Sequence, residues 1–274
     1  MSDEPIKYVS VTALTGLLPL PWMEAYASKH AAECAFNEID VYRELPTKDE
    51  RIKYVKGASK RYSKAARDRG TAIHSHVEKF NLGVKMDPWP LPVAASMRQY
   101  EHFVETVKPR VEAAECKVYH WGARGYDPAR PCFYAGTTDL ICEIDGKLAI
   151  LDAKTGKSVH EDAALQINAY AHADFLIADP NHPDAVQITP ARGRRWYEWR
   201  GKPEDEIPMP DIQAGYVLHL RDDGWTLHEV PISDELYEMF LSLFSVERWE
   251  RELKKTVLTK VSTGSASDEM SEAA

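Results

Sequence analysis

The sequence contains no apolar run approaching the roughly 18 residues that would cross a bilayer, and Met1-Ser2-Asp3-Glu4-Pro5 offers no basic stretch followed by an apolar one. These absences argue against a membrane protein and a secretory leader, so a cytoplasmic location is expected. Cysteine is scarce. The four present, Cys34, Cys116, Cys132 and Cys142, include no CxxC pair. A disulfide-stapled framework is therefore not expected in a chain this long, and reduced structural thiols are. Internal repeats are lacking too, which argues against a solenoid. An excess of positive charge is also missing: the net charge is -9, which argues against coating nucleic acid by bulk attraction.

What is present is the material of an ordinary globular core. The chain has 274 residues, 44% hydrophobic and 28% charged, enough for one large or two small domains. Its charge is unevenly placed. Between Arg51 and Gly70 stand eight basic residues (Arg51, Lys53, Lys56, Lys60, Arg61, Lys64, Arg67, Arg69) against the single acid Asp68, a segment of +7 on an acidic body.

Helical stretches are expected from about Trp22, from Ser59 to Phe80 with an interruption near Gly70-Thr71, and from Val93 to Val107. Tyr8–Thr12 reads as a short strand or a lead-in. The period then changes, and Cys116–Trp121, Thr137–Ile144 and Lys147–Lys154 read as a β-meander. The S-x-x-E sequence Ser158–Glu161 has the form of a capping box opening a helix that runs to Ile177. Residues 180–210 read as an irregular excursion. Two strands, Gly215–Leu220 and Trp225–Val230, a helix over about 234–255 and a disordered tail over 258–274 complete the expectation. Trp22 and Trp121 read as core.

The most informative segment is Gly136-Thr-Thr-Asp139 through Asp152-Ala-Lys154. Asp145-Gly146 between two β-prone runs is a strong two-residue hairpin signal that pairs Ile144 with Lys147. Counting outward places Asp139 opposite Asp152, with Lys154 on the same face as Asp152. Like charges opposed across strands are destabilising, and a divalent cation between them resolves the conflict. Oxygen donors suit Mg²⁺ or Mn²⁺, and a neighbouring ammonium can stabilise a developing oxyanion. Two further pairs stand one helical turn apart. They are His74 with Glu78, and Gln166 with Tyr170. Taken singly, the first reads as a partly buried His with a solvent-facing Glu and the second as an amphipathic core helix with one amide on its shoulder.

In order and spacing, Gly70-x-x-x-His74, Gly136-x-x-Asp139, Asp152-x-Lys154 and Gln166-x-x-x-Tyr170 resemble the RecB-like nucleases of the PD-(D/E)XK superfamily over about 70–230. Val9-Ser-Val-Thr12 followed by Leu17 to Trp22 resembles the opening of phage-type and mitochondrial-type members and extends the likeness toward the N-terminus. The resemblance implies an α/β restriction-endonuclease-like core, a central mixed sheet flanked by helices with an N-terminal helical region. It implies Mg²⁺ or Mn²⁺ held by His74, Asp139 and Asp152, with Lys154 in catalysis and Gln166 and Tyr170 positioning the DNA backbone. Some members carry an iron-sulfur cluster on one cysteine before the His and three after the Gln-x-x-x-Tyr helix. Here the last cysteine is Cys142, so no such cluster is expected.

The expected organisation is one nuclease domain over 1–257, made of a basic helical segment 1–69, a catalytic core 70–232 and a closing helix 233–257. DNA contact is expected from Lys56, Lys60, Arg61, Lys64, Arg67 and Arg69. A second contact is expected from the Arg192–Arg200 run, where Arg194, Arg195 and Trp196 interleave charge with aromatic faces. The implied activity is a DNA exonuclease acting on single strands or ends in phage or bacterial recombination and repair, with a possible recombination partner protein; if phage-encoded, it would work in the host cytoplasm. The alternatives are a structure-specific or restriction-like endonuclease using the same site, and a non-catalytic DNA-binding subunit.

Overall fold

The computed structural model describes residues 6–19, 21–84, 86, 88–121, 132–190 and 194–257. The tail and the Arg192-Gly193 part of the arginine-aromatic run lie outside the described residues. The helices are α1 (Val11–Thr15), α2 (Met23–Asn37), α3 (Ile39–Arg43), α4 (Lys48–Lys56), α5 (Ala58–Asn81), α6 (Ala94–Val107), α7 (Asp162–Ala171) and α8 (Asp234–Arg251). The longer strands are β1 (Lys7–Ser10), β2 (Arg110–His120), β3 (Tyr134–Ile144) and β4 (Lys147–Lys154), then β9 (Ala214–Leu220) and β10 (Trp225–Val230). Between them come β5 (Phe175–Ile177), β6 (Ala185–Ile188), β7 (Trp196–Trp199) and β8 (Ile207–Pro208).

All these strands join one mixed sheet, flanked by helices, so the chain is α/β. β2, β3 and β4 form the antiparallel meander, and β4 continues into parallel pairing with β9. The central strands are apolar on both faces because both are covered. Ile141, Ile150 and Val217 enter a core shared with α1, α7 and α8, while Leu140, Cys142, Leu151 and Leu218 enter a second core with α5 and α6. At Gly215 a Cβ would meet Ile167 Cγ2 at 2.5 Å, so the missing side chain lets α7 lie close on β9. Asp145 and Gly146 both have positive φ, 51° and 76°, as the tight turn between β3 and β4 demands.

Several expectations are corrected. The helix after Ser158 begins at Asp162 with no side-chain cap, because Ser158 Oγ is engaged by His160 Nε2 at 3.3 Å instead. It stops at Ala171, and Phe175–Ile177 is strand, since β2 offers an open edge that the segment completes. α5 runs through Gly70 without a break. The 180–210 excursion contributes β6, β7 and β8. Trp22 and Trp121 are 42% and 48% exposed, not core. Cys34, Cys116 and Cys142 are buried thiols, as expected. Among the described residues no helix is long and apolar enough to cross a membrane.

Candidate active site

A fork in the sheet makes the site. One edge of β3 pairs along its length with β2. On the other edge, β1 pairs with Tyr134 and Ala135 and β4 begins only at Leu140. Residues 136–139 lie in the gap between the two. There the ladder gives way to a side chain: Asp139 Oδ2 accepts the Ala153 backbone N–H at 2.7 Å. The register from the turn is the expected one, ending at Leu140–Leu151, one step short of Asp139 and Asp152. The fork opens into a cleft of about 570 Å³. Its walls hold Asp139, Asp152 and Lys154 from the sheet, Gln166 and Tyr170 from α7, and His74 from α5. The six candidates that the sequence spread over nearly a hundred positions thus face one space.

Within it, Lys154 Nζ lies 2.7 Å from Asp152 Oδ2 and donates to Gln166 Oε1 at 3.2 Å. Gln166 Nε2 in turn donates to Asp152 Oδ1 and to the Tyr170 hydroxyl, both at 3.0 Å. Asp152 is 3% exposed, and its Oδ2 has the ammonium as an ion pair but no hydrogen bond of good geometry. His74 Nδ1 stands 3.3 Å from Asp139 Oδ2.

The donor set differs from the expected one. His74, Asp139 and Glu115 each bring a ligand atom within 4.8 Å of the other two, and Asp152, held by Lys154 and Gln166, does not join them. Glu115 was not among the sequence candidates. It lies on β2 in register with Asp139, between the Ala114–Leu140 and Cys116–Thr138 pairs, and adopts φ 51°. A glutamate in the left-handed region costs about 1–3 kcal/mol, and such strain gathers at functional positions. The register that aligns it is set by no short turn, because a long connection separates β2 from β3. Periodicity could not have found it.

One imidazole and two carboxylates converging in a cleft fit a hard divalent cation such as Mg²⁺ or Mn²⁺. The electrostatics agree with that fit. The Asp139 charge drives His74 up to about 9 against the effect of burial. Burial, reinforced by Asp139, pushes Glu115 up to about 8. Asp139 is half-buried, and although desolvation works to raise its carboxyl, the His74 charge and hydrogen bond keep it below the usual range. Burial raises Asp152 even with Lys154 beside it, and the charges of Asp152 and Asp139 hold Lys154 above its ordinary value despite burial. Three acids crowded into one fork carry more negative charge than His74 and Lys154 can offset, an excess that a bound cation would relieve.

Gly136 explains the first residue of Gly-x-x-Asp. A Cβ there would lie 2.5 Å from Tyr170 Cε1, and Tyr170 is 1% exposed with no room to retreat. Gly136→Ala is expected to cost about 1–3 kcal/mol in chemical denaturation and to displace the Tyr170–Gln166 support. A variant as stable as the parent would show that the ring is not confined. At Gly70 an added Cβ would come 3.1 Å from Thr155 Oγ1, so this glycine lets α5 approach the strand that carries Lys154.

Of the expected DNA-contacting residues, Arg67 and Arg195 line the cleft. Lys56 and Lys60 are exposed on α4 and α5. Others are committed locally. Arg61 donates to the Tyr54 carbonyl at 2.7 Å, lies over the Tyr54 ring and pairs with Glu38, while Arg69 is held by Ser96 and Asp222. Lys64 pairs with Asp68 at 2.5 Å and Arg194 with Glu247 at 3.6 Å. Trp196 is a half-buried residue of β7 whose Nε1 donates to Glu198.

No family model and no curated protein matches the chain. Among solved structures, one titled "Crystal structure of SSO0001" aligns over 90% of this chain and 76% of that chain, at 12% identity and a TM-score of 0.36. A likeness of that degree carries no functional weight.

Proposed function

We propose that this chain is a Mg²⁺- or Mn²⁺-dependent deoxyribonuclease with a PD-(D/E)XK core of the RecB-like branch, an exonuclease acting on single strands or DNA ends. The observation that carries the reading is the convergence of His74, Asp139, Asp152 and Lys154 on one cleft. His74, Glu115 and Asp139 would hold the ion, with Asp152 as the further donor proposed from the sequence. Bound there, the ion would supply Lewis acidity toward the scissile phosphate and lower the pKa of the attacking water. Lys154, its side chain 34% exposed, brings an ammonium to the cleft, placed to offset charge gathering on the phosphoryl oxygens. Gln166 and Tyr170 fix the orientation of the Asp152 and Lys154 heads. Arg67 and Arg195 sit where the flanking phosphates of a bound strand would pass.

Ligation requires neutral imidazole and ionised carboxylate, so the cation competes with protons on His74 and Glu115. Folded values near 9 and 8 therefore make binding weaker at neutral pH. Calorimetric Mn²⁺ affinity should rise from about pH 7 to about 9, with protons released on binding. A flat affinity across that window removes both residues from the donor set.

The proposal is tested by digesting 5′- and 3′-labelled single and double strands with each metal, beside closed circular single-stranded DNA. Metal-dependent loss of the linear strands with the circles intact is the expected result. Cleavage of circles replaces the exonuclease by an endonuclease, and no cleavage of any substrate with either metal sinks the nuclease reading.

A further inference from the structure

The Trp22 ring belongs to no core. It stacks on His160 with centroids 5.3 Å apart and planes at 9°, while remaining 42% exposed. His160 is itself exposed, four residues past Gly156 on the connection from β4 to α7, and its Nε2 is steadied by Ser158 Oγ. Behind this pair the rings continue. Tyr26 meets Trp22 edge-on at 5.7 Å, His30 meets Tyr26 at 4.2 Å, and Tyr62 of α5 meets His30 at 4.7 Å. Ser63 Oγ donates to the Tyr26 hydroxyl at 3.3 Å, so the file of rings lies against the part of α5 that leads into the cleft wall at Ala66, Arg67 and Gly70. Thr155 and Gly156, just before His160, belong to the same cleft.

We infer that the Trp22–His160 pair is a stacking platform on the segments that lead into the cleft, taking a base of single-stranded nucleic acid whose backbone follows Lys60 and Arg67 of α5. This rests on the nuclease reading and narrows its substrate to a strand with unpaired bases. The physical case has two independent parts. A large flat ring left 42% exposed gains by burial only if a flat apolar partner arrives, and an unpaired base is such a partner while a base inside a duplex stack is not. The neighbouring helix favours an anionic ligand through Lys60, exposed on α5, and Arg67, in the cleft wall, whereas Arg61, Lys64 and Arg69 are paired with acids. A helix-to-loop latch would need neither the exposure nor the charge.

Binding is read without turnover, by fluorescence anisotropy of labelled oligothymidylate in EDTA. Stacking of one base is worth about 1–3 kcal/mol, so Trp22→Ala and His160→Ala should each weaken binding about 5- to 150-fold, and Trp22→Phe should restore most of it. Oligouridylate should behave like oligothymidylate, since the platform meets the base face, whereas binding of a closed circular duplex, which presents no open base face, should be unmoved by either substitution. In the unaltered chain the oligonucleotide should quench tryptophan fluorescence, and Trp22→Phe should remove that quenching. The quenching measurement and His160→Ala, at an exposed loop position, decide the question even if Trp22→Ala fails to fold. Unchanged affinity in His160→Ala together with unaltered quenching in Trp22→Phe overturns the platform. Metal-dependent cleavage by a chain with these results leaves the nuclease standing without it. Oligothymidylate held through Trp22 by a chain that cuts nothing keeps the platform and discards the nuclease.

Discussion

Replacing Asp152 by asparagine is expected to reduce metal-dependent DNA hydrolysis on the order of a thousandfold or more, and at the same time to leave the thermal midpoint unchanged or higher. The two effects share a cause. Asp152 is almost wholly buried, and its carboxyl is raised by that burial even though Lys154 lies 2.7 Å away. A folded pKa above the unfolded one means that the stabilising form is the protonated acid. Its contribution is present at low pH and is lost as pH rises through the folded value, so at neutral pH the ionised group is a cost to the fold. Asparagine keeps the shape and an oxygen for Gln166 but carries no charge, so it removes that cost along with the proposed chemistry, while its amide nitrogen, in the place of Oδ2, must be avoided by the partly exposed Lys154 ammonium. Calorimetry and end-labelled digestion on the same preparation check both halves. Full activity in the variant would reject the assignment of the cleft, and a steep loss of stability would show that the ion pair with Lys154 holds the fold.

Lys154→Met should be nearly as damaging to turnover, about a hundred- to a thousandfold, but for a different reason. The ammonium is not a metal donor. It lies between Asp152 and Gln166 with a third of its side chain open to the cleft, so its loss removes charge from the place where the phosphoryl oxygens would gather it. Calorimetric Mn²⁺ affinity should hold or tighten, because a competing cation has been taken from the acids. The prediction is thus a split between rate and metal affinity. Equal losses in both would assign Lys154 to organising the acids and not to the reaction, and an undiminished rate would leave it no catalytic role.

The parts of this site legible in the sequence were those fixed by short-range geometry. Asp145-Gly146 is a turn whose length sets the register, so the relation between Asp139 and Asp152 could be counted residue by residue, and the ladder from Ile144–Lys147 to Leu140–Leu151 follows that count. Helical spacing likewise put Gln166 and Tyr170 on one face of α7. What could not be read depended on distant parts of the chain. Glu115 reaches the site through the β2–β3 register and a left-handed residue inside a strand, neither of which leaves a local trace. The helix expected to run to Ile177 ends early because β2 has an edge to fill, a tertiary demand that outweighs the helical pattern. Trp22 reads as core by composition, whereas its exposure depends on where the connection bearing His160 lies.

Where β1 and β4 part company along β3, the amide of Ala153 is satisfied by the Asp139 carboxylate instead of by a neighbouring strand. The same acid is therefore a stitch in the main-chain seam as well as a candidate ligand. Hydrogen exchange at Ala153 would register changes at that oxygen: cation capture that draws it away loosens the seam, and capture that leaves it in place does not. Descent with altered chemistry is constrained in the same manner, because any replacement at 139 must still close a hole in the backbone. Asp152, whose oxygens meet only side chains, is under no such obligation and is the position at which the proposed reaction could be lost while the architecture survives.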